Sequence, residues 1–365
     1  MIGRITPILL TTVLLATGCK DPVAFEDPMV EQKLGGQTIP AASLDNGRQM
    51  YVRQCYACHG LEGDGRGPSA PGLRPAPRDL RLAKYKFVRM VEGDLPTDKM
   101  LYDVIRGGLH GTAMLPWDIQ DDAMYDIIHY IKTFSPEDEG WRDEENEIGK
   151  PIEISEDPYA GNTEQAVEDG KYVYHGVANC QSCHPAFGTK EYIAAAFTKA
   201  GKKPEFREDA YHAVVQTTEY EVNGVTQTNL PPDYTLNPTR SIRPDPGEDA
   251  ATWSRVKSLY RIIGAGVNGT AMAAWQGTLD EKDLWAVSHY VDSLIALNGT
   301  QAAWDLKKSL TDQEDVADPG TAEEEAADAV EEAAEDSAEA EAEAEVEAEA
   351  GTEEEAEVEA EAATE

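Results

Sequence analysis

Basic residues are few in this chain: 31 Lys and Arg stand against 69 Asp and Glu, a formal net charge of −38 over 365 residues. Nucleic acid is not the expected partner, because phosphate binding needs a basic face; a basic protein is the natural electrostatic complement. The deficit is uneven. From Thr311 to Glu365 there is no Lys or Arg and 25 acidic residues, which leaves −13 for residues 1–310. Long apolar runs are also missing after the first 19 residues, so nothing beyond them approaches the ~20 residues of a membrane helix. Cysteine and methionine are scarce enough to trace one by one. Four of the five cysteines fall in two C-x-x-C pairs, and residues 125–365 hold a single methionine, Met272.

Cys55-Tyr56-Ala57-Cys58-His59 and Cys180-Gln181-Ser182-Cys183-His184 spell C-x-x-C-H twice. This is the signal for covalent attachment of haem c. Each thiol adds across a haem vinyl group, and the histidine that follows is carried under the iron as its proximal ligand. Cysteines three apart occupy neighbouring positions of one helical turn, so both reach one porphyrin edge. A zinc half-site or a thioredoxin-like redox pair shares the C-x-x-C spacing. Zinc needs further Cys or His at ligand spacing, and no other cysteine lies near either motif. The expected cofactors are two covalently bound haem c, held by Cys55, Cys58, Cys180 and Cys183, with His59 and His184 as axial ligands.

Residues 1–18 read as an export signal, with Arg4 in a positive start and Ile5 to Ala16 apolar. The run ends Leu15-Ala16-Thr17-Gly18-Cys19, which resembles a bacterial lipobox with Ala16 in the place usually held by leucine. The resemblance implies lipidation of Cys19 and attachment on the periplasmic side of a bacterial membrane. Ordinary cleavage nearby, leaving a free thiol, is the rival reading. Residues 19–42 lack apolar periodicity and read as a tether.

The body is a tandem repeat. Gly47, Tyr51 and Cys55 recur every four residues on one helical face; Gly170, Tyr174 and Cys180 repeat them with two residues added before the cysteine. Gly111-Thr112-Ala113-Met114-Leu115-Pro116-Trp117 is echoed by Gly269-Thr270-Ala271-Met272-Ala273-Ala274-Trp275. Apolar positions 124, 127, 128 and 131 predict a closing helix, and Leu284 to Leu294 its copy, with His129-Tyr130 matched by His289-Tyr290. Residues 43–136 are read as the first domain, 137–162 as a charged linker, 163–300 as the second domain and 301–365 as a disordered acidic Ala/Glu tail. The tail either steers a partner or merely solubilises. Histidine to methionine spans 55 residues in the first domain and 88 in the second. The excess falls in an insertion at about 185–234, with a short helix over 194–200 and a hairpin around Asn223-Gly224. It is read as a surface elaboration, with haem shield, docking surface and substrate pocket as the alternatives.

The G-x-x-x-Y-x-x-x-C-x-x-C-H-G run resembles the N-terminal helix of class I cytochrome c domains, and the chain resembles their diheme variants over residues 43 to 297. The resemblance implies an all-α fold of two tandem domains in which the glycine lets the closing helix cross and the aromatic packs near the haem. It also implies that Met114 and Met272 are the second axial ligands. A proline carbonyl, Pro77 in the first domain and Pro238 in its echo, would accept the proton of the proximal histidine's other nitrogen. Arg78 and Arg240 are candidates for pairing with haem propionates, or are simply solvated. Trp117 and Trp275 pack over the haem edges or in the core. His129 and His289 pack or cap, and His110, His175 and His212 are weaker alternatives as ligands.

The function expected is relay of single electrons between redox protein partners, with no catalytic residue. The alternatives are a haem enzyme or enzyme subunit of peroxidase or thiosulfate-oxidising type, and a fixed cytochrome subunit of a quinol-oxidising or oxidase complex.

Overall fold

The computed structural model describes residues 25–313 except Glu26, Glu92, 212–217, 223–224 and Asp245, and gives only the backbone of 218–222 and 225–229. The export signal, Cys19, His212, the Asn223-Gly224 turn and the tail beyond 313 lie outside the described residues. In chain order the helices are α1 (Ala41–Gln54), α2 (Tyr56–His59), α3 (Asp98–Gly107), α4 (Asp121–Lys132), α5 (Thr163–Tyr172), α6 (Lys190–Lys199), α7 (Arg255–Ala265), α8 (Glu281–Ala296) and α9 (Gln301–Thr311). Three short two-stranded ribbons accompany them: β1 (Gln32–Leu34) with β2 (Gln37–Ile39), β3 (Met90–Val91) with β4 (Lys150–Pro151), and β5 (Thr218–Val222) with β6 (Val225–Asn229). The mostly helical fold agrees with the expected all-α class. Compactness divides the described residues into two units. The first takes those up to Ser155 with 219–227 and 239–278; the second takes 156–218, 228–238 and 279 onward. The Met272 loop, read from sequence as part of the second domain, therefore groups with the first unit.

In the first unit α1 buries Leu44, Gly47, Tyr51 and Val52 against α4, which turns Met124, Ile127, Ile128 and Ile131 inward. Gly47 permits the crossing: a Cβ there would stand 2.0 Å from the Asp126 carbonyl oxygen. Tyr51, Tyr130 and Phe134 pack beside it with ring centroids 5.1 to 5.4 Å apart. Ser43 does not cap α1, which starts two residues earlier; its hydroxyl instead meets Asp126 and the His129 Nδ1. His129 Nε2 faces Asp98 at 3.4 Å, so this histidine ties α1, α3 and α4 together.

Much of the expected tether and linker is folded. Leu34 and Ile39 of the first ribbon are buried, and the Gly35 N–H donates to the Trp141 carbonyl at 2.7 Å. Trp141, in the stretch read as linker, is 1% exposed, with its indole N–H on the Tyr85 hydroxyl and the Lys132 ammonium 4.6 Å from its ring centroid. The polar flanks of Trp141 and of the Leu34/Ile39 pair hide the apolar signal, because three large side chains are too few to show a period.

The second unit repeats the crossing. A Cβ on Gly170 of α5 would stand 2.0 Å from the Ala286 carbonyl oxygen of α8. The two added residues before Cys180 are absorbed by a π-helical turn, Val173–Val177, and by Asn179 in the left-handed region at φ 50°. Helix α6 begins at Lys190, four residues before the predicted start, because Thr189 caps it by accepting the Tyr192 N–H. Its Ala196 carbonyl lies against Gly176 of the π turn. Backbone pairing of β5 and β6 agrees with the expected hairpin. Residues 301–311, read as the start of the tail, form α9, which Thr300 caps and which buries Ala303 and Leu310.

Gly47→Ala and Gly170→Ala each force a methyl group onto a facing backbone oxygen. Each should destabilise the protein by about 1–3 kcal/mol or more, read as a lower denaturant midpoint. Gly36→Ala, where nothing lies within 4 Å, is the comparison for a glycine constrained only by its positive φ.

Candidate haem sites

Helix α1 breaks at Cys55, and the short α2 carries Ala57, Cys58 and His59 as its last residues. Cys55, Cys58, Cys180 and Cys183 are half-buried and none is paired in a disulfide. Burial, with Cys58 nearby, pushes the Cys55 thiol up to about 12. Burial does the same to Cys180. Among the described residues no group of three or more His, Cys, Asp or Glu is placed to hold a metal ion, so neither thiol pair has partners for a zinc site.

His59 Nδ1 donates to the Arg78 carbonyl at 3.0 Å. Among the described residues its Nε2 has no protein partner. His184 Nδ1 donates to the Pro232 carbonyl at 3.3 Å. The carbonyls expected from sequence, Pro77 and Pro238, are not the acceptors. The Pro77 oxygen faces Gly65. The true repeat is Pro77-Arg78-Asp79 against Pro231-Pro232-Asp233. In each the aspartate Oδ1 accepts the N–H two residues on, from Arg81 at 3.1 Å and from Thr235 at 2.9 Å. That turn aims the preceding carbonyl at the imidazole.

With Nδ1 carrying the proton, each Nε2 presents a lone pair, as an iron ligand requires. Burial lowers both imidazole pKa values, that of His184 to about 4, and keeps them neutral. At His184 the Tyr234 hydroxyl donates to Nε2 at 3.3 Å, with the two rings stacked 5.0 Å apart. A donor there stands where a Lewis acid would bind. Thiol pair, fixed tautomer and an Nε2 lone pair, unpartnered at His59 and held by the Tyr234 hydroxyl at His184, together fit a covalently attached haem at each motif.

The residue after each histidine is pinned by an equivalent tyrosine. The Tyr51 hydroxyl donates to the Gly60 carbonyl at 2.7 Å, and that of Tyr174 to the Pro185 carbonyl at 2.8 Å. Burial raises both hydroxyl pKa values far above the ordinary range, so each remains a donor. The insertion adds Arg207, whose guanidinium donates to the Ser182 and His184 carbonyls at 2.6 and 3.3 Å. With Arg207, Pro232 and Tyr234 on the C-x-x-C-H backbone and imidazole, the insertion is built into the second site.

Both methionines sit in one loop design. The Met114 N–H donates to the Thr112 hydroxyl at 3.1 Å, and that hydroxyl donates to the Leu109 carbonyl at 2.7 Å. The Leu109 N–H returns to the Met114 carbonyl at 2.8 Å. Around Met272 the same three bonds run through Thr270 and Val267 at 3.1, 2.6 and 3.0 Å. Trp117 and Trp275 close the loops by donating backbone N–H groups to Ile105 and Gly264. Repetition of G-T-A-M carried this signal in the sequence; the threonine's part in it was missed.

Arg78 is not solvated: it donates to the Lys84 and Gly269 carbonyls at 2.6 and 3.0 Å. Arg240 lies exposed beside Gly111, and the next residue, Ser241, donates its N–H to the His110 carbonyl at 3.1 Å. Burial, with Arg78 and Arg240 nearby, brings the Lys86 ammonium down to about 8. Three converging cations favour an anion, and haem carboxylates fit that chemistry. His175 and His289 are otherwise engaged. His289 Nε2 meets Asp157 at 2.8 Å, while buried His175 gives Nδ1–H to the Lys171 carbonyl and accepts the Phe187 N–H.

Residues 44–135 match the cytochrome c family model. Residues 165–291 match the model for cytochrome c oxidase, cbb3-type, subunit III. The chain is a c-type cytochrome with two cytochrome c domains in tandem. More narrowly it is a diheme cytochrome c, with two covalently bound haems. No curated protein matches it. A chain of the Kuenenia stuttgartiensis reducing HAO-like protein complex is similar at 25% identity and a TM-score of 0.49, covering 69% of this chain and 96% of that one.

His175 supplies a pH test. Its pKa falls to about 4 in the fold through burial, against about 6.5 when unfolded. Its contribution is complete above pH 6.5 and is lost as pH falls toward 4, by roughly 3 kcal/mol in all. Urea unfolding of His175→Gln across that range should show the shallower pH slope.

Proposed function

We propose that the protein relays single electrons between redox partners at the cell envelope, with His59 and Met114 closing one iron and His184 and Met272 the other. The duplicated threonine-braced loop carries this reading. It spends three hydrogen bonds on fixing the backbone of one methionine, in both repeats, while leaving the thioether half-exposed. Methionine as core filler does not need such bracing. When bound, a haem with two strong axial ligands supplies a one-electron iron couple and leaves no position for substrate. Cys55, Cys58, Cys180 and Cys183 form the thioethers, and Arg78, Lys86 and Arg240 neutralise haem carboxylates. Lipid on Cys19 holds the chain at the periplasmic side of the membrane.

A basic redox partner docks beside the first methionine loop. Leu115 is 65% exposed there, and Asp118, Asp121 and Asp122 are exposed around the single Arg106. The match of residues 165–291 to an oxidase subunit model favours a second reading, a fixed subunit of a membrane complex. Copurification with integral membrane proteins would favour that reading over a free relay.

Met272→Ala should open the second iron to stoichiometric carbon monoxide binding and lower its potential, because thioether sulfur favours Fe(II). Unchanged gas binding and potential would remove Met272 as a ligand. Reduction by a basic partner should slow severalfold as added salt shortens the Debye length from about 30 to about 8 Å. A salt-independent rate would contradict acidic docking.

A further inference from the structure

The two histidine-orienting turns share a plan and differ in what holds them. In the first, Asp79 is paired two residues away, its carboxylate meeting the Arg81 guanidinium at 2.9 and 2.7 Å near the surface. In the second, Asp233 is fully buried and its counter-cation comes from 74 residues further on. Lys307 of α9 donates to Asp233 Oδ2 at 3.2 Å, with the lysine side chain only 13% exposed. The other carboxylate oxygen takes the Thr235 N–H at 2.9 Å and hydroxyl at 2.7 Å. The Asp233 carbonyl closes the turn by accepting the Asn237 N–H at 2.8 Å.

Asp233 lies between the two residues that handle His184. Pro232, before it, supplies the carbonyl on Nδ1; Tyr234, after it, stacks on the imidazole. The residues on either side of Asp233 therefore contact one ring, and Asp233 between them is fastened to α9. We infer that Lys307 makes helix α9 a positioning element that sets the reduction potential of the second haem independently of the first. Bonds to the far nitrogen of a metal-bound imidazole govern its orientation and basicity. The Lys307–Asp233 pair is also buried, its carboxylate on the residue between the two that contact the ring, and a low dielectric leaves such charges poorly screened. Among the described residues no distant cation pairs with Asp79 of the first turn, where the ion pair is local. This rests on His184 being the proximal ligand.

The experiment is a redox titration resolving both haems in the full-length protein. Lys307→Met leaves the Asp233 carboxylate without its cation and should lower the second potential. Asp233→Asn removes the anion while keeping an acceptor for Thr235, and should raise it. Each shift should change the oxidised-to-reduced ratio of that haem about tenfold at fixed potential, or about 59 mV for one electron. Lys307→Arg should restore the wild-type value, and the first haem should stay unmoved throughout. Opposite signs and arginine rescue are results that a merely structural helix would not give. If Lys307→Met fails to fold, Asp233→Asn and Lys307→Arg decide the matter alone. Potentials within twofold of wild type in these ratios, or equal shifts in both haems, overturn the proposal. His184→Met is the control: an unchanged second-haem spectrum there refutes the ligand assignment, whereas a changed one beside unmoved potentials refutes only the role of α9.

Discussion

One hydrogen bond recurs at the base of each site: an imidazole Nδ1–H donated to a main-chain carbonyl, Arg78 for His59 and Pro232 for His184. It selects the tautomer that leaves Nε2 as a lone pair, and it holds the ring plane. Everything nearby serves to keep that carbonyl and that ring in register. An Asx turn aims the carbonyl, a buried tyrosine pins the residue after the histidine, and a glycine crossing brings the closing helix against the helix that leads into the cysteines.

Duplication exposes which parts are obligatory. Glycine at the crossing, tyrosine four residues on, threonine before methionine and aspartate after the carbonyl occur twice with the same contacts. The supports around them differ. The second unit has a π turn where the first has plain helix, and it enlists Arg207, Tyr234 and Lys307 from an insertion and from α9. One plan with two sets of supports gives the chain a means to hold unlike potentials on like ligands.

The helical crossings and the attachment motifs were legible because their signals are local. Spacings of three and four put Gly47, Tyr51 and Cys55 on one face, and C-x-x-C-H needs no partner in sequence to be recognised. The histidine acceptors were misread by one residue in the first repeat and six in the second, since a carbonyl belongs to every residue and side-chain identity does not mark it. Pro238-Thr239-Arg240 looked like the echo of Pro77-Arg78, but the shared aspartate of Pro231-Pro232-Asp233 was the informative match. Tether, linker and the start of the tail were misjudged because a ribbon with two buried side chains, a lone Trp141 and the eleven-residue α9 give too little period to detect.

The whole account turns on two irons each closed by imidazole and thioether, and the optical spectrum of the oxidised full-length protein tests it most directly. It should show two low-spin haems per polypeptide with methionine-to-iron charge-transfer absorption of an intensity matching both. A high-spin component, or charge-transfer intensity for one haem or none, would contradict it.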